Sequence, residues 1–136
     1  MERILVCFDG SDWSKRALEK AIEIAQKFGS HITVLSVVPK VCFLEIGVDC
    51  ATVEGIFKAE FEGNLKRAQQ ILEEKGVKGE TVILEGIPAD VIVDFATNFD
   101  LIVMGSKGKD ATERTLFGSV TQKVAANATK SVLIVR

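Results

Sequence analysis

The chain has 136 residues, which suits one domain and is too short for two cores of ordinary size. Hydrophobic residues make up 47% and charged residues 26%, a balance that excludes a disordered chain. Seventeen Lys and Arg stand against nineteen Asp and Glu, for a net charge of −2, so no bulk field draws the chain to nucleic acid.

Ile4 to Phe8 is an unbroken apolar run ending at Asp9-Gly10-Ser11. Such runs fit strands buried on both faces, as in parallel sheets. Met1 to Phe8 has no signal peptide's apolar core with a small-residue cleavage site, and no apolar run approaches the ~20 residues that span a bilayer. A cytoplasmic domain with no membrane contact is the expectation. Ser11 or Asp12 can cap a first helix, whose buried face is predicted to be Ala17, Leu18, Ala21, Ile22, Ala25 and Phe28, with Gly29 as its stop. Ile32 to Val38 predicts the second strand, closed by Pro39, and residues 40–50 predict a loop. Val53, Phe57, Phe61, Leu65, Ala68 and Leu72 recur at helical spacing and predict a long amphipathic helix ending at Gly76.

Thr81 to Leu84 reads as a third strand. Pro88 then opens a helix whose buried face is Val91, Ile92, Phe95 and Ala96. Leu101 to Met104 follows as a fourth strand, and 105–115 reads as a polar, glycine-containing loop. Leu116, Phe117, Val120, Val124 and Ala128 predict the last helical face, and Val132 to Val135 a fifth strand. Short strands alternating with helices imply a parallel α/β sheet covered on both faces, with right-handed crossovers. Ligands of such doubly wound sheets bind beyond the carboxyl ends of the strands, where the winding reverses.

The strand ends therefore carry the candidate chemistry. Asp9 follows strand one, and it either caps the first helix or faces a ligand. Gly105-Ser106-Lys107-Gly108 follows strand four, and its glycines let backbone N–H groups approach an anion. Gly118 and Ser119 open the last helix, whose N-terminus suits phosphate; Gly118 alternatively permits close packing. Lys107, Lys109 and Arg114 add positive charge, which Asp110 and Glu113 oppose. Trp13, in the first turn of the first helix, packs on the sheet edge or the loop, or shields a ligand. Cys7 reads as a core thiol. Cys42 and Cys50 flank a loop, and spacing alone fixes no pairing. A single His31 and no CxxC pair give poor metal-ligand spacing.

The pattern Gly105-x2-Gly108-x9-Gly118-Ser119 resembles the nucleotide-binding pattern of the universal stress protein family. The resemblance extends to Ile4–Ser11, Gly86-Ile87-Pro88-Ala89, Asp100–Ser106 and Ser131–Val135, in order and over nearly the whole chain. It implies one domain over 1–136, a three-layer sandwich of the Rossmann-like, adenine nucleotide alpha hydrolase-like kind, with strand order 3-2-1-4-5. It implies ATP, or AMP or another adenine nucleotide, at the crevice between strands one and four. By position, Asp9 would hold ribose or phosphate and the Val37 backbone would meet the adenine edge. Gly105 and Gly108 would contact ribose and phosphates, and Gly118, Ser119 and Val120 would cradle phosphates, with Mg²⁺ bridging phosphate oxygens. A homodimer through 132–135 is implied too, and an apolar edge strand is a pairing surface on physical grounds.

The function this predicts is an ATP-binding regulatory or signalling module. The alternatives are a dimeric interaction module without nucleotide and a slow ATP hydrolase. The sequence has no P-loop signature and no nucleophile–base pair, which argues against a dedicated enzyme. It also lacks the clustered acids of a phospho-receiver domain at the end of strand one.

Overall fold

The computed structural model describes residues 1–40, 50–109 and 116–136. Its elements run β1 (Arg3–Cys7), α1 (Asp12–Phe28), β2 (His31–Pro39), α2 (Cys50–Glu74), β3 (Gly79–Gly86), α3 (Pro88–Phe95), a 3₁₀ turn (Ala96–Asn98), β4 (Leu101–Gly105), α4 (Ser119–Asn127) and β5 (Ser131–Val135). The five strands form one parallel sheet in the order β3-β2-β1-β4-β5, as expected.

Alternation along the strands divides the core in two. Ile4 and Val6 of β1 and Phe8 just beyond it, with Ile32 and Val34 of β2, face α1 and α2, where Leu18, Ile22, Leu65 and Leu72 meet them. Leu5, Leu35, Ile102 and Met104 face the other way, toward Ala89 and Ile92 of α3 and Val124 of α4. Ile4, Leu5, Val6, Ile32, Ile102 and Val103 are fully buried, which explains why β1 and β4 read as unbroken apolar runs rather than alternating ones.

α1 starts where the sequence says it should. Ser11 is extended and its hydroxyl accepts from Ser14 N–H at 3.2 Å, while the Ser14 hydroxyl donates back to Ser11 O at 2.9 Å. Gly29 ends it at φ 68°, with its N–H on Ala25 O, the left-handed stop that glycine supplies without strain. Three expectations are corrected. Phe28 is 68% exposed, because the buried face of α1 ends at Ala25 and Phe28 is its last residue. Val91 and Phe95 are only half-buried, and Ala89, Ile92 and Ala96 make the covered face of this segment. Leu116 and Phe117 do not belong to the last helix, since Gly118 is extended and donates its N–H to Ser106 O at 2.8 Å, which halts α4 at Ser119. Leu116 is consequently 75% exposed.

At the amino end of the sheet, Asp100 Oδ2 accepts from the N–H groups of Glu2 at 3.0 Å and Arg3 at 2.9 Å. These bonds, chiefly that of Arg3, hold its carboxyl below the usual 3.8. The sign follows directly. A carboxylate depressed in the folded state contributes stability above its unfolded value, and that contribution is lost as pH falls through the folded value. Asp100→Asn is therefore expected to be less stable than the parent near about pH 6, with the gap closing as pH falls well below the ordinary carboxylate value of 3.8. Urea unfolding at the two pH values measures it; a gap unchanged by pH would refute the assignment.

Candidate functional site

The winding reverses between β1, which leads to β2 and β3 on one side, and β4, which leads to β5 on the other. The crevice beyond their carboxyl ends is where such a sheet takes a ligand. Four segments converge there: the turn after β1, the overhanging end of β2, the loop after β4 and the start of α4.

Asp9 is half-buried at the end of β1. Its Oδ1 accepts from Ser11 N–H at 2.9 Å, and its Oδ2 from Lys109 N–H at 3.0 Å. Asp9 thus braces the turn into α1 and at the same time holds the loop after β4. It does not cap α1, a task that Ser11 performs. Beside it, burial pushes the Cys7 thiol up to about 12, with the Asp9 charge adding to the effect. That thiol is a core group, as the sequence suggests, and has no nucleophilic character at neutral pH.

β2 runs past β1. Leu35 O accepts from Phe8 N–H at 2.8 Å, so Leu35 turns its backbone toward β1, and His31 N–H likewise reaches Glu2 O. Backbone groups alternate sides along a strand, so those of Val37 face the same way, past the end of β1. The side chain of Val37 packs in the α3–α4 core, and its peptide groups open toward the crevice. The Ser36 hydroxyl pins this overhang by donating to Phe8 O at 2.6 Å.

The three glycines of the motif answer to three different constraints. A Cβ on Gly105 would stand 2.7 Å from Trp13 Cβ and 2.8 Å from the Trp13 carbonyl carbon, so this glycine lets α1 lie against β4. A Cβ on Gly108 would stand 2.8 Å from Asp9 Oδ2, so this one admits the carboxylate. A Cβ on Gly118 would meet nothing closer than Lys107 Cα at 3.5 Å, and its φ is −67°. Among the described residues, neither packing nor conformation demands glycine at 118.

The base of the loop is fixed from three sides. Ser106 N–H donates to Val135 O at 2.7 Å, Gly118 N–H to Ser106 O at 2.8 Å, and the buried Thr121 hydroxyl to Gly105 O at 2.9 Å. These bonds bring the start of α4 against Lys107 and Gly108. Gly118 offers α4 no side-chain cap, and the first intrahelical bond is Gln122 N–H to Gly118 O at 3.0 Å. The N–H groups of Ser119, Val120 and Thr121 thus lie ahead of the helical ladder, where a helix end favours an anion.

Trp13 is half-buried on the loop side of α1. The Lys107 ammonium and the Arg16 guanidinium each lie 5.7 Å from its ring centre. Trp13 thus packs against both the end of β4, at Gly105, and the loop, at Lys107. His31, by contrast, opens β2 at the opposite end of the sheet. Sequence reasoning missed the wall that α2 builds. Gly10, at φ 84°, lies against Asn64, whose side-chain amide a Cβ there would meet, and Glu60 is ion-paired with Lys109. Asp110, Glu113, Arg114 and Cys42 lie outside the described residues, so the opposing acids and the Cys42–Cys50 question are not placed.

Among the described residues, no group of three or more His, Cys, Asp or Glu could hold a metal ion, and no helix is long and apolar enough to cross a membrane.

An open parallel sheet, wound both ways from a crevice that the start of α4 adjoins, defines a doubly wound α/β domain. The model of the universal stress protein family matches residues 1–136, and the chain belongs to that family. It is 39% identical over 139 residues to a universal stress protein of Methanocaldococcus jannaschii, covering 99% of this chain and 82% of that one. The universal stress protein UspA from Lactobacillus plantarum has a similar structure, with TM-score 0.89, 29% identity and coverage of 99% and 97%. So do two nucleotide complexes. One is a universal stress protein in complex with cAMP, with TM-score 0.76, 28% identity and coverage of 99% and 97%. The other is the protein from Archaeoglobus fulgidus in complex with dAMP, with TM-score 0.74, 28% identity and coverage of 100% and 98%.

Proposed function

We propose that this chain is an adenine-nucleotide-binding regulatory module, with ATP or AMP as its ligand. The observation that carries the reading is the start of α4. Among the described residues nothing in packing or backbone conformation requires glycine at 118, which leaves the helix without a side-chain cap and stands directly against the loop of Lys107 and Gly108. Phosphate fits there, on the N–H groups of Ser119 and Val120 and of Gly108. Asp9 takes the ribose side, and the Val37 peptide groups take the adenine edge. Gly105 contributes at most its backbone, since its missing side chain serves α1. Mg²⁺, where it takes part, is carried by phosphate oxygens, because the described residues offer no protein cage for it. The relatives in complex with cAMP and dAMP support an adenine nucleotide as the class of ligand.

The test is mass spectrometry of any nucleotide released from the denatured protein, followed by titration with MgATP, ADP and AMP using Trp13 fluorescence and calorimetry. A ligand at about a hundred times its Kd raises stability by about 2.7 kcal/mol, a shift readily seen in melting. No heat, no fluorescence change and no melting shift at millimolar nucleotide would sink the reading.

A homodimer through β5 belongs to the same proposal. β5 is an edge strand paired only with β4, and Val132 to Val135 are half-exposed. An apolar edge of this kind is a template for a second copy. Sedimentation at micromolar concentration is expected to give twice the chain mass, and Ile134→Lys a single chain mass; a monomeric parent would refute it.

A further inference from the structure

The loop after β4 carries two lysines with different fates. Lys107 rests over the Trp13 ring, and no described carboxylate pairs with it. Lys109 is held twice by negative groups. Its N–H donates to Asp9 Oδ2 at 3.0 Å, and its ammonium is ion-paired with Glu60 of α2. The same ammonium lies 5.4 Å from the ring centre of Phe61. α2 can reach the crevice because Gly10 leaves room for Asn64, so Glu60, Phe61 and Asn64 form one wall beside Asp9. The loop that would embrace a phosphate is thereby tied to α2 by a cation that a phosphate would itself attract.

Resting on the nucleotide reading of this crevice, we infer that Lys109 is a phosphate-binding residue and that Glu60 is its internal competitor. The Lys109 and Glu60 side chains are 35% and 47% exposed. An ion pair so open to water is weak enough to be exchanged. A phosphate group carries up to two charges and more acceptor oxygens than a carboxylate, so it can take the ammonium from Glu60. Occupancy of the site then removes one tie between the loop and α2. Glu60 sets affinity for the phosphate-bearing part of the ligand alone, because its effect passes through one ammonium.

The experiment measures AMP, MgATP and adenosine binding calorimetrically in the parent, Glu60→Gln, Lys109→Gln and the double variant. Glu60→Gln is expected to tighten AMP and MgATP about threefold, the range of an exposed ion pair, and to leave adenosine unchanged. Lys109→Gln is expected to weaken both phosphate ligands about fivefold. The double variant should match Lys109→Gln, since Glu60 acts only through the lysine. A parent that binds while Glu60→Gln changes nothing, or changes adenosine equally, overturns this inference and leaves the nucleotide site standing. A Glu60→Gln protein that binds where the parent does not supports it. If neither binds any of the three at millimolar concentration, the nucleotide reading falls and the inference with it.

Discussion

Gly105→Ala is expected to cost about 1–3 kcal/mol of stability, and Gly105→Val more, with a fall in Tm of about 10 °C or greater. The new Cβ would stand 2.7 Å from Trp13 Cβ, 2.8 Å from the Trp13 carbonyl carbon and 3.0 Å from its oxygen. Two of those atoms are backbone, so no rotamer change relieves the clash. Retreat of α1 is opposed at both of its early turns: Ser11 caps it, and the Arg16 side chain donates to Arg136 O at 3.1 Å. Retreat of β4 is opposed by its pairing with β1 and β5 and by the Thr121 bond to Gly105 O. The strain therefore stays local and is not dispersed. Urea unfolding followed by Trp13 fluorescence measures it. A Gly105→Ala protein within about 0.5 kcal/mol of the parent would refute the close approach of α1 to β4.

That case shows which information a one-dimensional reading contains. The element order and the sheet were legible because burial leaves a period: Ile4 to Phe8 and Leu101 to Met104 are unbroken apolar runs, and the buried face of α2 steps through Phe61, Leu65, Ala68 and Leu72. Element ends were less legible. Leu116 and Phe117 continue an apolar pattern into α4, yet the Gly118 bond to Ser106 O, between residues distant in sequence, starts the helix later. β3 spans Gly79 to Gly86, beyond the run from Thr81 to Leu84 that announces it, because β2 offers it a full-length partner. At the site, residue type marked the positions and could not assign the reasons. Glycine looks the same whether Trp13, Asp9 or nothing among the described residues demands it, and the three motif glycines fall into those three cases. Glu60 and Asn64 belong to no motif and lie off the apolar stripe of α2. Only the tertiary approach of α2 to the Gly10 turn turns them into a wall of the crevice.

Gly118→Asp is expected to reverse the usual link between stability and binding. An aspartate at this position supplies the side-chain cap that α4 lacks, its carboxylate accepting from the N–H groups of Val120 or Thr121. The backbone at 118 is already extended, at φ −67° and ψ 161°, which is the conformation an N-cap adopts. Among the described residues, a Cβ there meets ordinary contacts at 3.5 Å or more. Stability should therefore hold or rise by a few tenths of a kcal/mol relative to glycine. Nucleotide affinity should fall by about tenfold or more, equivalent to about 1.4 kcal/mol, because the cap occupies the N–H groups that would hold phosphate and its charge repels what remains. Adenosine, which carries no phosphate, should lose far less. Melting curves and titrations with AMP, MgATP and adenosine on one preparation separate the two effects. Unchanged AMP affinity in a stably folded Gly118→Asp protein would place the phosphate away from the start of α4. Equal loss of AMP and adenosine would mean that residue 118 shapes the base pocket and not the phosphate cradle.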